Sequence, residues 1–246
     1  RRPDILCLQE FYTSENPKDF NNREYISETM GLPYRYFSSD YNFKNNHSGV
    51  IIFSRYPIVR AEKVKLMQLA PSESVVFTDI VKGADTIRVF TLHLQSVYLN
   101  KKDLEILDKL KLRQDTVFVG SKTILQKIRK AFIKRGHQAL TVAAEIRQSP
   151  YPVILCGDFN DTPNSYAYFK IRGGLQDAFL EKGFGIGATY AGISPTLRMD
   201  YIFLDPAFKV NYFEKSHREL SDQYPIIANI TLKKSSAVSD DTPPVK

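Results

Sequence analysis

The sequence predicts an α/β protein with strands buried on both faces. One observation is a set of short apolar runs rich in β-branched residues, which is typical of such strands. These runs lie at residues 5–8, 50–53 and 152–156. A second observation is a pair of strand-like segments flanking the turn 82–85, which predicts a hairpin. The third is helical periodicity between the strands, at about 97–149.

Length and composition place the chain among ordinary globular proteins. Its 246 residues can bury a substantial core, and 43% hydrophobic and 25% charged residues are usual values. The net charge of +7 suits a polyanionic or phosphorylated partner. Cys7 and Cys156 lie in strand-like runs, so we interpret them as core residues rather than a disulfide, and the compartment stays undetermined.

The most informative segment follows the apolar run 152–156. Gly157 ends the run, and Asp158, Phe159 and Asn160 come next. Residues two apart on an extended backbone point to the same side, so we expect Asp158 and Asn160 to emerge together while Phe159 enters the core. A strand that ends in an ordinary Asx turn is the alternative interpretation.

This segment, GDFN followed by DTPNS, resembles the signature of the endonuclease/exonuclease/phosphatase superfamily, which has the DNase I-like fold. Other segments resemble the family's motifs in the same order, namely PDILCLQE, GVIIFSRYPI, TLHLQS, RMDYIF and LSDQYP. The resemblance implies a four-layered α/β sandwich, with two mixed β-sheets face to face and helices outside, over residues 1–232. GDFN followed by D-T-P-x-S looks more like the family's bacterial and deadenylase-like branches than its abasic-site nucleases, so a bacterial member is expected.

The resemblance also implies roles for residues at the strand ends. Glu10 would bind Mg²⁺ or Mn²⁺, and a solvated surface glutamate is the alternative. His93 would contact the scissile phosphate together with Asn160, although a lone histidine in an apolar strand is more often a core residue. Asp158 would position or deprotonate the attacking water.

Further family residues come from the C-terminal third. Arg198 and Tyr190 would bind the substrate, with a buried Arg–Asp pair as the alternative for Arg198. Asp200 and Asp222 would organise the far side of the site. The family's catalytic histidine is replaced by Gln223, whose amide cannot carry a proton at neutral pH. We expect that amide to hydrogen-bond Asp200.

A second departure concerns the N-terminal side of the fold. The family normally has a strand with a metal-site asparagine well before the L-Q-E motif, and that strand and its following helix are not in this sequence. We expect open sheet edges as a result, because a central strand is missing. The chain would then be a fragment, or the missing piece would be supplied from outside.

The predicted function is metal-dependent hydrolysis of a phosphate ester or phosphodiester, impaired by Gln223. The alternative is a phosphoester- or nucleic-acid-binding module without turnover. The expected partner is a phosphate-ester substrate of a monomeric protein, and association with nucleic acid or with a membrane stays open.

Three regions add less. Residues 11–46 are interpreted as loop and a short helix that stops at Gly31. The segment 97–149 is predicted to form two helices, at about 101–114 and 120–148, rich in lysine and arginine. Those charges form either a solvated face or a patch for phosphate backbones or anionic membranes. Residues 233–246 are predicted to be a flexible tail.

Overall fold

The computed structural model describes residues 2–16, 18–66, 74–103, 105–106, 118–190, 197–216, 218 and 221–233. The elements in chain order are β1 (Ile5–Ser14), α1 (Asn22–Met30), β2 (Tyr34–Phe43), β3 (Asn46–Ser54), β4 (Ile58–Lys63), β5 (Ser74–Lys82), β6 (Asp85–His93), α2 (Phe118–Arg147), β7 (Val153–Asp158), α3 (Tyr166–Arg172), β8 (Gln176–Asp177), α4 (Ala178–Lys182), β9 (Asp200–Leu204), β10 (Phe208–Lys215) and β11 (Ile226–Leu232). Within the described ranges, none of the helices is both long and apolar enough to cross a membrane.

The centre of the fold is a six-stranded sheet with the order β4-β5-β6-β7-β9-β8. Strands β6 and β7 are parallel, and the other neighbours are antiparallel. A parallel pair needs a crossover, and α2 lies in the segment that connects β6 to β7. The predicted hairpin is confirmed, since β5 and β6 pair from Ser74 to the turn, where Gly83 has a positive φ of 65°.

Two smaller antiparallel sheets form the opposing layer, with the orders β1-β3-β2 and β10-β11. Both pack on one face of the six-stranded sheet in a shared apolar cluster. The predicted mixed sheet is present in the six-stranded sheet, whereas the described strands of this opposing layer form two antiparallel sheets instead of one mixed sheet. Over the described residues, β1 pairs only with β3 and β11 pairs only with β10.

Helices cover the outer faces of both layers. Residues of α2 and α3, including Ala139, Val142 and Ile171, pack on the six-stranded sheet. Ile26 and Met30 of α1 pack on the sheet β1-β3-β2. The chain is thus layered helix, sheet, sheet, helix, and the predicted α/β class is confirmed.

The region from 11 to 46 differs from the sequence prediction. Helix α1 stops at Gly31 as expected, in a left-handed conformation with φ 69°. However, β1 continues to Ser14 and β2 is a ten-residue strand. Strand β2 pairs with β3 alone and is largely exposed, so its sequence lacks the apolar alternation of a half-buried strand.

The basic segment also differs. One helix, α2, covers most of the second predicted helix, while helix 101–114 falls mainly in residues outside the described ranges. The predicted tail lies outside them too, apart from Lys233. Cys7 and Cys156 are free thiols in the cluster between the sheets, as interpreted from the sequence.

Candidate active site

Strand register brings three polar side chains together at one edge of the six-stranded sheet. In the parallel pair β6–β7, His93 lies opposite Asp158. In the antiparallel pair β7–β9, Asp158 lies opposite Asp200. Residues that lie opposite each other on neighbouring strands have side chains in contact range, so an imidazole and two carboxyl groups meet at this edge.

Gly157 allows β7 to approach β6 closely just before this cluster. A Cβ at position 157 would lie 2.3 Å from the backbone oxygen of Leu92. Phe159 is fully buried in the apolar cluster on the helix-covered face, as the sequence predicts. Asn160 adopts a left-handed φ of 51°, which asparagine tolerates better than most residues.

The segment from Asp158 to Asn160 is held by local hydrogen bonds. The backbone N–H of Asn160 donates to Oδ1 of Asp158 at 2.7 Å, and its side-chain Nδ2 donates to the carbonyl of Leu94 at 3.0 Å. The Leu94 N–H in turn donates to the carbonyl of Asp158 at 3.0 Å. The exits of β6 and β7 are therefore joined beyond the end of the strand ladder.

Glu10 reaches the same edge from the opposing layer. The β1–β3 register shifts between Leu8 and Phe11, and Glu10 in this bulge has a left-handed φ of 50°. Its Oε1 lies 3.7 Å from Nε2 of His93, while its side chain is 75% exposed. The same His93 nitrogen lies 3.8 Å from Oδ2 of Asp158. A solvent-facing carboxylate thus stands beside a buried His–Asp pair.

Gln223 enters from the loop before β11. Tyr190 and Gln223 form an isolated antiparallel bridge that brings this loop to the sheet edge. The Gln223 Nε2 donates to Oδ2 of Asp158 at 2.8 Å. The expected hydrogen bond from Gln223 to Asp200 is therefore wrong, because the amide donates to the neighbouring carboxylate. Within the described part of the chain, the buried Oδ2 of Asp200 has no hydrogen-bond partner.

Burial and mutual repulsion govern the two aspartates. Burial raises the pKa of Asp200 well above its ordinary value, and the Asp158 carboxylate raises it further. Burial also raises the pKa of Asp158, while His93, the Gln223 amide and the Asn160 N–H partly oppose that rise. Adjacent carboxyl groups in a dry site favour the uptake of a proton.

The remaining predicted residues lie at different distances from this cluster. Tyr190 is half-buried, and burial followed by the charge of Asp222 raises the pKa of its phenol. Asp222 is exposed. Arg198 is 4% exposed and pairs with Asp177 at 2.8 Å, with Phe179 and Tyr201 against its guanidinium. This buried pair is the alternative interpretation of Arg198, so we leave it out of the proposed site.

Sequence reasoning missed the link between α2 and the site. Arg135 is buried, and its Nε donates to Oδ2 of Asp161 at 2.9 Å. Lys127 pairs with Asp103. Two cations of the predicted basic face thus form ion pairs with aspartates of this chain and do not simply face solvent. The available signal was the position of Arg135, which lies four residues after buried Ala131 and four before buried Ala139.

The donor set at this edge suits a hard cation held by few protein ligands. Over the described ranges, no group of three or more His, Cys, Asp or Glu side chains has metal-binding geometry. Magnesium commonly keeps several waters and binds one or two carboxylates together with substrate phosphates. The exposed carboxylate of Glu10, beside the buried cluster, fits that mode of binding.

Comparison with solved structures places the fold. An endonuclease/exonuclease/phosphatase protein from Beutenbergia cavernae DSM 12333 superimposes with a TM-score of 0.64 at 16% identity, covering 94% of this chain and 63% of that chain. The present chain thus spans less than two thirds of that structure. A mannosyl-6-phosphatase from Bacteroides thetaiotaomicron VPI-5482 gives 0.54 at 20% identity, with 85% and 80% covered. D. rerio TDP2 complexed with a single-strand DNA product gives 0.57 at 15% identity, with 93% and 86% covered.

Sequence comparison identifies the family. No curated protein sequence matches the chain. The model of the endonuclease/exonuclease/phosphatase family matches residues 1–236, which is nearly the whole chain. The mixed sheet and the flanking helices described above agree with that match. The chain belongs to the endonuclease/exonuclease/phosphatase family.

Proposed function

We propose that this protein hydrolyses a phosphate ester or phosphodiester with the help of a divalent cation. The observation that supports this most is the register that sets His93, Asp158 and Asp200 side by side, with Glu10 at the solvent side. Such an edge offers donors for phosphoryl oxygens, a buried carboxylate for a water molecule and an exposed carboxylate for a metal. Family membership supports the same reaction class.

In this proposal Glu10 holds Mg²⁺ or Mn²⁺. A bound cation of this kind stabilises the negative charge that develops on the phosphoryl oxygens. The carboxylate oxygens of Glu10 are ligands suited to these hard cations. The left-handed backbone at Glu10 turns its side chain away from the strand alternation and towards His93.

The protein's own residues divide the remaining work. His93 and Asn160 grip the phosphoryl oxygens, because both lie at the sheet edge and carry N–H groups. Asp158 positions or deprotonates the attacking water. Its raised pKa makes it a stronger base than an ordinary carboxylate, provided it is ionised. Tyr190 and Asp222 border the substrate on the Gln223 side.

Gln223 limits the proton chemistry of this site. Its amide fixes Asp158 through one hydrogen bond and can neither take up nor release a proton. A positioned general acid or base contributes on the order of 10²–10⁴ in rate. We therefore expect slow hydrolysis. The same observation favours a second candidate, a module that binds phosphoesters or nucleic acid without turnover.

Charge and the matched structures guide the choice of the first substrates to test. One of these is a mannosyl-6-phosphatase and another holds a single-strand DNA product. The net charge of +7 favours a polyanion over a small phosphate ester that carries few charges. A nucleic-acid phosphodiester is therefore the first substrate to try, and a sugar phosphate is the second.

The test combines turnover with metal binding. The release of nitrophenolate from bis(p-nitrophenyl) phosphate is measured with Mg²⁺, with Mn²⁺ and with EDTA, and the melting temperature is recorded in parallel. We expect metal-dependent turnover and a metal-dependent rise in melting temperature, both lost in Glu10→Ala. Glu181→Ala is the matched control, because Glu181 is an exposed glutamate on α4.

Three results separate the candidates. Turnover that requires both the metal and Glu10 supports the proposed function. A metal-dependent rise in melting temperature without turnover supports the binding module. An unchanged metal response in Glu10→Ala removes Glu10 from the site.

A further inference from the structure

Arg135 is a charged side chain buried on the core-facing side of α2, with 2% of its side chain exposed. A buried guanidinium is costly unless it is paired and hydrogen-bonded. Its Nε donates to Oδ2 of Asp161 at 2.9 Å, and Nη1 donates to the backbone oxygen of Gln95 at 2.8 Å. The ring of Phe132 lies 4.7 Å from its guanidinium carbon.

Both hydrogen-bonding partners belong to segments that carry candidate site residues. Gln95 lies two residues after His93, and Asp161 directly follows Asn160. Arg135 therefore bridges the exit of β6 and the exit of β7. These exits are the two segments whose relative placement determines how far His93 stands from Asn160.

The same helix holds Gln95 in two further ways. The Gln95 N–H donates to Oε1 of Gln138 at 3.0 Å, and Nζ of Lys134 donates to Oε1 of Gln95 at 2.8 Å. Side chains of α2 thus bind the backbone N–H, the backbone carbonyl and the side chain of Gln95. A segment held at three points has little freedom to shift.

Asp161 is held as firmly as Gln95. Its Oδ1 accepts the Thr162 N–H at 3.0 Å, and its carbonyl accepts the hydroxyl of Tyr201 at 2.8 Å. Burial raises the pKa of Asp161, and the guanidinium of Arg135 opposes that rise. The pair is therefore a buried ion pair, and such pairs are often replaceable by apolar groups without loss of stability.

We propose that Arg135 is a positioning residue that, with Asp161, sets the relative placement of His93 and Asn160. The inference rests on the proposed function, in which these two side chains grip the phosphoryl group. A misplacement of about 1 Å can cost about 10²-fold in rate. Loss of the bridge should therefore lower kcat even in a variant whose melting temperature is largely preserved.

The test removes both charges together, so that neither is left unpaired. Arg135→Met or Asp161→Asn alone should lower the melting temperature, because each leaves a buried charge without its partner. The double variant Arg135→Met/Asp161→Asn should recover most of that loss. Its kcat should stay lowered by roughly 10–100-fold at an unchanged KM.

Arg88 and Asp79 provide the matched control. They form a buried bidentate pair at 2.7 and 2.8 Å, and Arg88 lies in register with Val153 at the opposite end of the β6–β7 pair from His93. Arg88→Met/Asp79→Asn should leave kcat unchanged once the protein is folded. If kcat of the Arg135 double variant returns with its stability, the positioning role is refuted.

Failure of the proposed function would be visible separately. If the wild-type protein shows no metal-dependent turnover, the proposed hydrolysis is refuted. The relative placement of the ends of β6 and β7 is then measured by NMR. The amide signals of Leu94 and Asn160 should then shift on addition of Mg²⁺ and inorganic phosphate in the wild type and the control. Equal shifts in the Arg135 double variant would overturn the inference.

Discussion

Replacement of Asp200 by asparagine should stabilise the protein at neutral pH. The Asp200 carboxyl is buried, its Oδ2 has no partner within the described chain, and Asp158 is its neighbour in the β7–β9 register. A buried group left without a hydrogen bond costs about 1–3 kcal/mol. An asparagine side chain at this position would carry no charge, and its amide N–H could donate to Asp158. We expect Asp200→Asn to raise the free energy of unfolding by about 1–3 kcal/mol. In a domain of this size, each kcal/mol raises the melting temperature by roughly 2–4 °C.

The stability advantage of Asp200→Asn over the wild type should increase with pH. The folded-state pKa of Asp200 is raised above the unfolded value, so the folded protein binds its proton more tightly. The stability associated with that proton is fully present below the unfolded pKa, about 3.9. It is lost as the pH rises through the folded pKa. The advantage of Asp200→Asn should therefore grow from pH 4 to pH 8.

Urea unfolding of both proteins in EDTA, at several pH values, measures this difference. Asp177→Asn is the control with the opposite sign, because Asp177 is a buried carboxylate that pairs with Arg198 and accepts the hydroxyl of Tyr168. It should destabilise the protein by about 3–5 kcal/mol. A gain for Asp200→Asn that is equal at all pH values would refute the argument from ionisation. A loss at pH 8 would show that the carboxylate has a partner in solution.

Three further predictions concern the site and the helix beside it. Gln223→His should raise metal-dependent turnover of a phosphodiester by roughly 10²–10⁴-fold, whereas Gln223→Ala should not. Equal rates for the glutamine and histidine forms would show that another residue carries out the proton transfer. Gly157→Ala should abolish turnover and lower the melting temperature, because the alanine Cβ would lie 2.3 Å from the backbone oxygen of Leu92. If the variant keeps wild-type turnover and melting temperature, β6 and β7 are further apart than the structure shows. Replacing the exposed cations of α2 by glutamine should weaken nucleic-acid binding and flatten its salt dependence, and an unchanged salt slope would favour a solvated face. These cations are Lys122, Arg129, Lys130 and Arg147.

Strand β7 and the burial of Phe159 were predictable from sequence because alternation has a period of two, whereas the left-handed backbone of Asn160 just beyond the strand was not. The apolar run before Gly157 locates β7, and the alternation that follows sends Phe159 into the core. The hairpin of β5 and β6 was equally clear from its turn residues. Apolar alternation and turn chemistry are local properties, so a single sequence reveals them.

Partner choice was not predictable in the same way. The amide of Gln223 lies within reach of two adjacent carboxyl groups, and only the three-dimensional placement of its loop decides that it donates to Asp158. Arg135 is similar, because sequence gives its charge but not the buried carboxylate opposite it. Strand β2 was missed because most of its side chains are exposed or only half-buried, so no long apolar alternation marks it.

The wide separation of His93, Asp158 and Asp200 along the chain has a consequence for folding kinetics. No local hairpin or helix contains two of them, so the cluster exists only after β6–β7 and β7–β9 have paired across long stretches of chain. Long-range pairing, and parallel pairing in particular, is slow because the entropy of loop closure is lost before the stabilising contacts form. The carboxyl groups stay apart and hydrated until that step, and their repulsion opposes only the final closure of the central sheet.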